Sequence, residues 1–327
     1  EAIKPVENTM PLVPSDLGWT NESDEQLLRA RNQQMRDSEG VTEDMKNEVM
    51  DLLRLFGVPF IVAPMEAEAQ CATLEQLGLV NGVITDDSDI FAFGGKKVYK
   101  NMFKTTKFVE AFYMNDIGRE LGLDQESMIA LALLLGSDYT DGIHGVGIVN
   151  ATEIVHAFPG IDGLHQFKAW VNEFDLAAQL KPQAKLSESD LAEMDPLERF
   201  KHTHHKVRRN WTIGDAFPNF HVVKAYLEPE TDRSDARFSW ATPDLANLRV
   251  FCGRAFGWPL EKVNTTLLPI VQAATRGWFE TQTRIDSYFT SYKDDVKYAK
   301  IRSKRLQAVV ESINTPKKKK PRRKANN

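Results

Sequence analysis

Two short apolar runs in the first third of the chain, residues 60–63 and 82–85, each lead into paired carboxylates. Such runs are typical of buried strands, and in open α/β sheets the site lies beyond the carboxyl ends of the strands. Carboxylates that converge there repel each other unless cations lie between them. The alternative interpretation is a solvated acidic surface. The acids are Glu66 and Glu68 after the first run, and Asp87 and Asp89 after the second.

A fifth carboxylate, Asp138, follows a predicted helix end in the segment Gly-Ser-Asp-Tyr. Hard cations such as Mg²⁺ take oxygen ligands, keep several waters and usually bind one or two carboxylates each. Two such ions ~4 Å apart hold the attacking and leaving oxygens of a phosphoryl displacement, which requires acids from several segments. Asp138 taken alone is ordinary, because aspartate is common in turns. Together the five acids indicate a metal site.

A glycine-rich link, residues 142–147, joins two predicted helices. Glycine lets the backbone approach a ligand closely, and the amides that open a helix can bind a phosphate. The carbonyls on the opposite side of the link could bind a monovalent cation. A plain turn between two helices also uses glycine, so the carboxylates beside it favour the phosphate interpretation.

The composition is that of a globular protein: 327 residues, 42% of them hydrophobic and 27% charged. The net charge is −5, but residues 317–324 carry seven positive charges, so the rest of the chain carries −12. This acidic body argues against nucleic-acid binding by bulk charge and leaves local basic patches open. No run approaches ~18 apolar residues, which predicts no membrane span. Cys71 and Cys252 make no disulfide framework or zinc site, so both are expected to be packed thiols in a reducing compartment.

Strands and helices alternate in the first part of the chain, which predicts an α/β fold. Segment 219–227 is compatible with strand or helix, and residues 88–96 are expected to form a turn. Strands are predicted at 58–63, 81–85, 97–100 and 105–113. Helices are predicted at 23–36, 42–57, 64–78, 114–121, 125–135, 146–158, 161–173, 187–210, 243–256 and 259–275.

Two groups of basic residues could contact nucleic acid. Arg29, Arg31 and Arg36 lie on a polar helix and are candidate phosphate contacts, although a solvated helix face is the plainer interpretation. His202, His204 and His205 lie among lysines and arginines without a cysteine or acidic ligand pattern, so they predict a basic exposed face rather than zinc.

The C-terminal tail contains two short motifs. Ile285, Tyr288 and Phe289 form one apolar face of a helical turn in a polar stretch, which indicates an anchor for a partner's groove or a turn that packs back on the body. The basic run 317–324 is typical of a nuclear import signal or a nucleic-acid-binding tail.

Three segments resemble the signatures of the flap endonuclease superfamily: PMEAEAQCA from residue 64, ITDDSDIFAFGGKKVYKN from residue 84, and LLGSDYTDGIHGVG from residue 134. In sequence, these segments most resemble the nucleotide-excision-repair branch of the superfamily, which consists of the xeroderma pigmentosum group G (XPG) endonucleases and their fungal counterparts. The similarity is strong from about residue 41 to residue 158.

The resemblance implies a role for each matching residue. It implies that Glu66, Glu68, Asp87, Asp89 and Asp138 bind two Mg²⁺ ions and are catalytic. Gly145 and Gly147 would hold a phosphate of duplex DNA, and the carbonyls of Ile143 and Val146 would bind K⁺. The residues that match the box for the sliding clamp PCNA are Gln282, Ile285, Tyr288 and Phe289.

The implied fold is a mixed, mainly parallel sheet flanked by helices, a PIN-like nuclease core with a helix–two-turn–helix DNA-binding unit and a helical C-terminal part. The predicted organisation is a disordered lead-in (1–22), a gateway helix segment (23–40), an internal nuclease core (41–122), the helix–two-turn–helix unit (123–160), the helical C-terminal part (161–275) and a tail with the clamp box and import run (276–327).

Two departures from the family pattern matter. Family members have an N-terminal catalytic block that supplies further aspartates and part of the sheet, and nothing here matches it. We therefore expect this chain, which begins without Met, to be part of a longer protein and not to cut DNA alone. In addition, Ile148, Val149 and Asn150 follow the glycine link where flap endonucleases place basic residues, so phosphate binding would depend more on backbone amides.

The implied activity is incision at junctions of double- and single-stranded DNA, on the 3′ side of a repair bubble in nucleotide excision repair. The implied partners are junction DNA, PCNA and the repair and transcription factor TFIIH, in the nucleus and without a membrane. The alternatives are a non-cutting repair scaffold that binds DNA and the clamp, and a junction-resolving relative.

Overall fold

A computed structural model describes residues 41–102, 109–173, 190, 194–275 and 303–314. The described residues divide into two compact units, one formed by residues 41–60 and 240–275 and the other by the described residues of 61–239 together with 303–314. Within the described ranges, no helix is both long and apolar enough to cross a membrane.

The smaller unit is built from helices that pack around a compact apolar core. They are α1 (Glu43–Phe56), α10 (Leu245–Phe256) and α11 (Leu260–Thr275). Thr42 caps α1 by accepting a hydrogen bond from the Met45 N–H, and Gly57 ends it in the left-handed region, as predicted. The buried core residues are Leu248, Cys252, Val263 and Leu267.

The larger unit contains a mixed three-stranded sheet of strand order β1-β2-β3. Its strands are β1 (Val83–Ile84), β2 (Lys97–Lys100) and β3 (Glu110–Tyr113). β1 pairs parallel to β2, with Val83 opposite Val98, and β2 pairs antiparallel to β3, with Val98 opposite Phe112. The mixed α/β core predicted from the sequence is confirmed.

Helices surround this sheet in the larger unit. They are α2 (Ala67–Gln76), α3 (Asp89–Ala92), α4 (Met114–Leu121), α5 (Gln125–Leu135), α6 (Ile148–Ala157), α7 (Gly160–Asn172), α8 (Pro196–His204), α9 (Phe220–Leu227) and α12 (Lys304–Asn314). The side chains of Ile129, Leu133 and Leu134 are fully buried, so α5 lies at the centre of the core. The predicted bounds of α4 and α5 are those observed.

The strand predicted at 58–63 is wrong, because these residues are irregular. A strand requires a partner for its backbone N–H and C=O groups, and no strand of the described residues pairs with this segment. Ile61 and Val62 are exposed. The segment has the apolar composition of a strand, but it has no neighbouring strand to pair with among the described residues.

The helix predicted at 187–210 is wrong as one continuous helix, because residues 194–195 are not helical. Helix α8 begins at Pro196, after an Asp195 cap that accepts from the Leu197 N–H, and ends at His204. Proline favours the first helical position, because it has no N–H to donate and clashes with a preceding turn. A 3₁₀ turn, Val207–Asn210, follows.

Two further segments differ from or complete the prediction. Residues 88–96 contain the one-turn helix α3 rather than only a turn. The segment 219–227, which the sequence left open between strand and helix, contains helix α9.

The exposed basic face predicted for the three histidines is wrong for His204, which is buried. Its Nδ1–H donates to the Phe200 carbonyl, and its Nε2 lies 2.9 Å from the Glu153 carboxylate of α6. Arg305 of α12 donates to the same carboxylate through Nε at 2.7 Å. The cluster His204–Glu153–Arg305 therefore joins α6, α8 and α12.

We expect Glu153→Gln to lower the free energy of unfolding by about 2 kcal/mol at pH 7, because hydrogen bonds to a charged group are each worth about 1.5–3 kcal/mol. Burial raises the pKa of Glu153, but hydrogen bonds from His204 and Arg305 outweigh it and hold the pKa below its usual range. Since the folded-state pKa is lowered, the stabilisation is present above the unfolded-state pKa and is lost as the pH falls through the folded-state pKa.

Urea unfolding at several pH values measures this effect. The difference between wild type and Glu153→Gln is expected to shrink as the pH falls below about 4, the usual range of a glutamate pKa. An equal difference at pH 7 and at acid pH would contradict the electrostatic account of this cluster.

Candidate active site

The five predicted carboxylates are delivered by separate elements of the larger unit. Glu66 is the N-cap residue of α2 and Glu68 lies in its first turn. Asp87 lies in the segment between β1 and α3, and Asp89 is the first residue of the one-turn helix α3. Asp138 lies in the loop after α5, which ends at Gly136.

All five carboxylates line one small cleft with about 240 Å³ of empty space that opens to solvent. Glu66, Asp87 and Asp138 are exposed, whereas Glu68 and Asp89 are half-buried. The cleft is lined by Glu66, Glu68, Asp87, Asp89, Phe93, Asp138 and Tyr139. The structure therefore brings together the residues that the sequence singled out, although Asp138 is about fifty residues beyond Asp89 in the chain.

The pKa of Asp89 shows the mutual repulsion of the carboxylates in the cleft. Burial raises the pKa of Asp89, a hydrogen bond from Tyr226 lowers it, and the charges of Asp87, Asp138 and Glu66 raise it further; the net direction is upward. Three carboxylates from three segments are thus within electrostatic reach of a fourth. A cation in the cleft would relieve this repulsion.

The donor chemistry fits a hard divalent cation. Carboxylate oxygens are the ligands that Mg²⁺ prefers, and Mg²⁺ keeps several waters rather than a full protein cage. As they stand, no three His, Cys, Asp or Glu side chains of the described ranges form a group that could hold a metal ion directly. The cleft opens to solvent, so water could complete the coordination of a cation held by some of these carboxylates.

Local hydrogen bonds fix the segment between β1 and α3. The Asp87 N–H donates to Thr85 Oγ1 at 3.1 Å, and the Asp89 N–H donates to Asp87 Oδ1 at 3.0 Å. Asp86, unlike Asp87 and Asp89, bonds to the end of the neighbouring strand: its Oδ1 accepts a hydrogen bond from the Asn101 N–H at 2.7 Å. Asp86 thus ties the end of β1 to the end of β2, while Asp87 and Asp89 remain directed to the cleft.

Sequence reasoning missed two tyrosines at the site. Tyr139 lines the cleft together with Glu66, and burial and the interaction with Glu66 raise the pKa of Tyr139. Tyr226 of α9 donates its hydroxyl to Asp89 Oδ2 at 2.9 Å. Tyr139 adjoins Asp138 in the chain and could have been noticed there. Nothing in the sequence links Tyr226 to Asp89, which lies 137 residues away.

The predicted helix–link–helix unit is formed by α5, residues 136–147 and α6. The link makes two tight turns: a bridge between Ser137 and Thr140, and a hydrogen bond from the Val146 N–H to the Ile143 carbonyl at 3.1 Å. The side chains of Ile143 and Val146 are buried in the core. The Ile143 carbonyl keeps one lone pair for another partner, since a carbonyl oxygen has two.

The two glycines predicted to hold a phosphate differ in conformation. Gly145 has φ +87°, and a Cβ there would lie 2.9 Å from the Asn210 carbonyl oxygen. Gly147 has φ −99°, is the N-cap residue of α6 and faces open space. Gly145 is thus required by the turn itself, whereas Gly147 leaves the start of α6 unobstructed.

We expect Gly145→Ala to lower the free energy of unfolding by about 1–2 kcal/mol, the cost of a side chain in the left-handed region. Gly147→Ala is the matched control, and its effect should stay within about 0.5 kcal/mol because nothing lies near its Cβ. Urea denaturation of both variants measures the difference. Equal effects at the two positions would refute the assignment of strain to Gly145.

Several predicted site residues lie outside the described residues. They are the gateway arginines Arg29, Arg31 and Arg36, and the clamp-box residues Gln282, Ile285, Tyr288 and Phe289. The basic run 317–324 lies outside them as well.

Comparisons with known proteins place the cleft within a family. The family model described as "XPG I-region" matches residues 57–138, a span that contains all five carboxylates. The catalytic core of Rad2 in complex with DNA substrate is 42% identical, with a TM-score of 0.58, and the match covers 78% of this chain and 76% of that core. The chain belongs to the XPG branch of the flap endonuclease superfamily.

Curated relatives of this XPG-branch chain include DNA repair proteins. The DNA repair protein rad13 of Schizosaccharomyces pombe is 41% identical over 90% of this chain and 26% of its own length. The DNA excision repair protein ERCC-5 homolog of Xenopus laevis is 42% identical over 87% of this chain and 22% of its own length. The chain therefore spans about a quarter of the length of these relatives.

A more distant structure is the Holliday junction-resolving enzyme GEN1 in complex with product DNA and Mg²⁺ ion. It is 28% identical with a TM-score of 0.51, and the match covers 71% of this chain and 56% of GEN1. Metal-dependent nucleases thus occur among the chain's structural relatives.

Proposed function

We propose that this chain carries the internal part of the active site of a Mg²⁺-dependent, structure-specific DNA endonuclease that cuts at junctions of double- and single-stranded DNA. The observation that carries the proposal is the convergence of the five carboxylates of the XPG I-region on one cleft. The 42% identity to the Rad2 core, against 28% to GEN1, favours bubble or flap incision over junction resolution.

The role of the chain's own residues is to bind and orient. Glu66, Glu68, Asp87, Asp89 and Asp138 would hold the cations, with Asp87 and Asp89 fixed by the hydrogen bonds that start α3. The chemistry that a bound pair of Mg²⁺ ions would supply is activation of the attacking water and stabilisation of the leaving oxygen in an in-line phosphoryl displacement.

The helix–two-turn–helix unit would bind the duplex beside the junction. The N-terminus of α6, opened by Gly147, offers backbone amides to a phosphate. The K⁺ site proposed at the carbonyls of Ile143 and Val146 would use the free lone pair of Ile143. Residues 148–150 of α6 supply no positive charge, so these amides would do most of the phosphate binding.

The biological role we propose is the 3′ incision of nucleotide excision repair in the nucleus. The names of the DNA repair and excision repair relatives support it. PCNA would bind the box at Gln282, Ile285, Tyr288 and Phe289, and TFIIH would bring the nuclease to the bubble.

The decisive experiment is a bubble-cleavage assay with and without Mg²⁺. It uses the joined protein, which is this chain connected to the N-terminal nuclease block that the family resemblance implies. Mg²⁺-dependent incision on the 3′ side of the bubble supports the proposal. Binding without metal-dependent incision would favour a non-cutting scaffold, and preferred cleavage of four-way junctions would favour a junction-resolving enzyme.

A further inference from the structure

Tyr226 is the largest fully buried side chain of the described residues, and its hydroxyl touches the candidate metal site. The hydroxyl donates to Asp89 Oδ2 at 2.9 Å, across 137 residues of sequence. It is not a lining residue of the cleft. Tyr226 therefore contacts Asp89 from the protein core and not from the cleft.

The ring of Tyr226 also contacts the loop that carries Asp138. The ring of Tyr139, the residue after Asp138, packs edge-on against it. Within that loop, the Tyr139 N–H donates to the Ser137 hydroxyl at 3.3 Å, across Asp138. One buried side chain thus contacts both Asp89, the first residue of α3, and the loop after α5 that carries Asp138.

The ring of Tyr226 is held by aromatic contacts that leave its hydroxyl little freedom. Tyr139 packs edge-on against it with ring centroids 5.2 Å apart, and Phe93 packs at 5.0 Å. Both of these rings belong to residues that line the cleft. A shift of Tyr226 would therefore disturb the walls of the cleft as well as Asp89.

A tyrosine hydroxyl is suited to holding a carboxylate that must also bind a cation. It donates a hydrogen bond without a positive charge, so it orients the carboxylate without competing with the metal, as lysine or arginine would. The bond to Asp89 Oδ2 uses the one proton of the phenol, so Tyr226 contributes a donor and no charge to this carboxylate.

We infer that Tyr226 is a positioning residue that fixes Asp89, and through its contact with the Tyr139 ring the Asp138 loop, at the spacing a pair of divalent cations requires. The inference rests on the proposed nuclease function and adds to it a residue outside the carboxylate set. Replacing a residue that hydrogen-bonds a metal-ligating carboxylate typically lowers metal affinity or activity by about 10–100-fold.

The test compares Tyr226→Phe with Tyr113→Phe. Both variants lose one hydroxyl and keep the ring, but Tyr113 lies on β3, is partly exposed and does not line the cleft. The first readout is Mn²⁺ affinity of the chain, followed by the electron paramagnetic resonance signal of free Mn²⁺. The second is the Mg²⁺ dependence of single-turnover bubble incision by the joined protein.

We expect Tyr226→Phe to weaken Mn²⁺ binding about tenfold and to raise the half-saturating Mg²⁺ concentration by a similar factor, with recovery of rate at high Mg²⁺. Tyr113→Phe should match wild type in both readouts. The inference is overturned if Mn²⁺ affinity is unchanged in Tyr226→Phe, or if its rate falls equally at every Mg²⁺ concentration, as a packing defect would cause.

The two readouts separate this inference from the proposed function. If the joined protein fails to incise DNA, the proposed function fails, and the Mn²⁺ affinities still decide whether Tyr226 holds the site. If wild type incises and binds Mn²⁺ and Tyr226→Phe behaves identically, only the inference fails.

Discussion

Replacement of Asp89 by Asn in the joined protein is expected to reduce Mg²⁺-dependent bubble incision by about 10²–10³-fold, the loss found when one fixed group that stabilises charge in a transition state is removed. Asp89 is a half-buried member of the cleft, and the charges of three other carboxylates raise its pKa. Asparagine keeps an oxygen that can accept from Tyr226, so the fold around the site should be preserved. DNA binding should be unchanged, because the phosphate contacts that we propose lie at the glycine link.

Asp86→Asn is the matched control for this prediction. Asp86 lies three residues away and accepts from the Asn101 N–H, a bond that the asparagine oxygen can also make. Its incision rate should stay within about twofold of wild type, since surface substitutions away from special features cost little. Near-wild-type incision by Asp89→Asn would remove Asp89 from the catalytic set. The same assay applied to Asp87→Ala and Glu66→Ala tests their assignments.

Replacement of Phe167 by Ala is expected to lower the free energy of unfolding by about 3–5 kcal/mol, the usual cost of truncating a buried phenylalanine. Phe167 is fully buried in α7. Its ring packs at 5.5 Å from Phe158 and at 5.5 Å from Trp211, and Phe200 lies at 6.5 Å. This aromatic cluster joins α7 and α8 to the end of α6, so it supports the helix that the glycine link opens.

Urea denaturation of Phe167→Ala beside Phe220→Ala measures the loss. Phe220 is 70% exposed, so its truncation should change the free energy of unfolding by no more than about 0.5 kcal/mol. A loss below about 1 kcal/mol at Phe167 would show that the aromatic cluster is not a main source of stability in the larger unit.

Local signals predicted the helices whose ends carry strong caps. α1 begins at the Thr42 cap and ends at Gly57, and α5 begins where Asp124 accepts from the Ser127 N–H. Each of these signals lies within a few residues of the helix that it starts or ends. The grouping of the five carboxylates was predicted because their segments resemble family motifs. The argument from strand ends holds only for Asp87 and Asp89, which follow β1, since no strand precedes Glu66 and Glu68.

The features that the sequence did not predict depend on pairing between distant residues. Residues 58–63 have the composition of a strand, but pairing decides whether a strand forms. The sequence predicted that His204 is exposed, like His202 and His205. Its partners Glu153 and Arg305 come from α6 and α12, which are distant in the chain. Tyr226 lay in a segment that could be strand or helix, and only the fold places its hydroxyl on Asp89.

If the cleft of five carboxylates binds the divalent cations of a nuclease, anomalous scattering from Mn²⁺ will locate them in crystals of the joined protein bound to a DNA junction. We expect two Mn²⁺ peaks about 4 Å apart in the cleft, within ligand distance of Asp89 and its neighbouring carboxylates. Crystals with ordered DNA at the junction and no Mn²⁺ in the cleft would contradict this expectation.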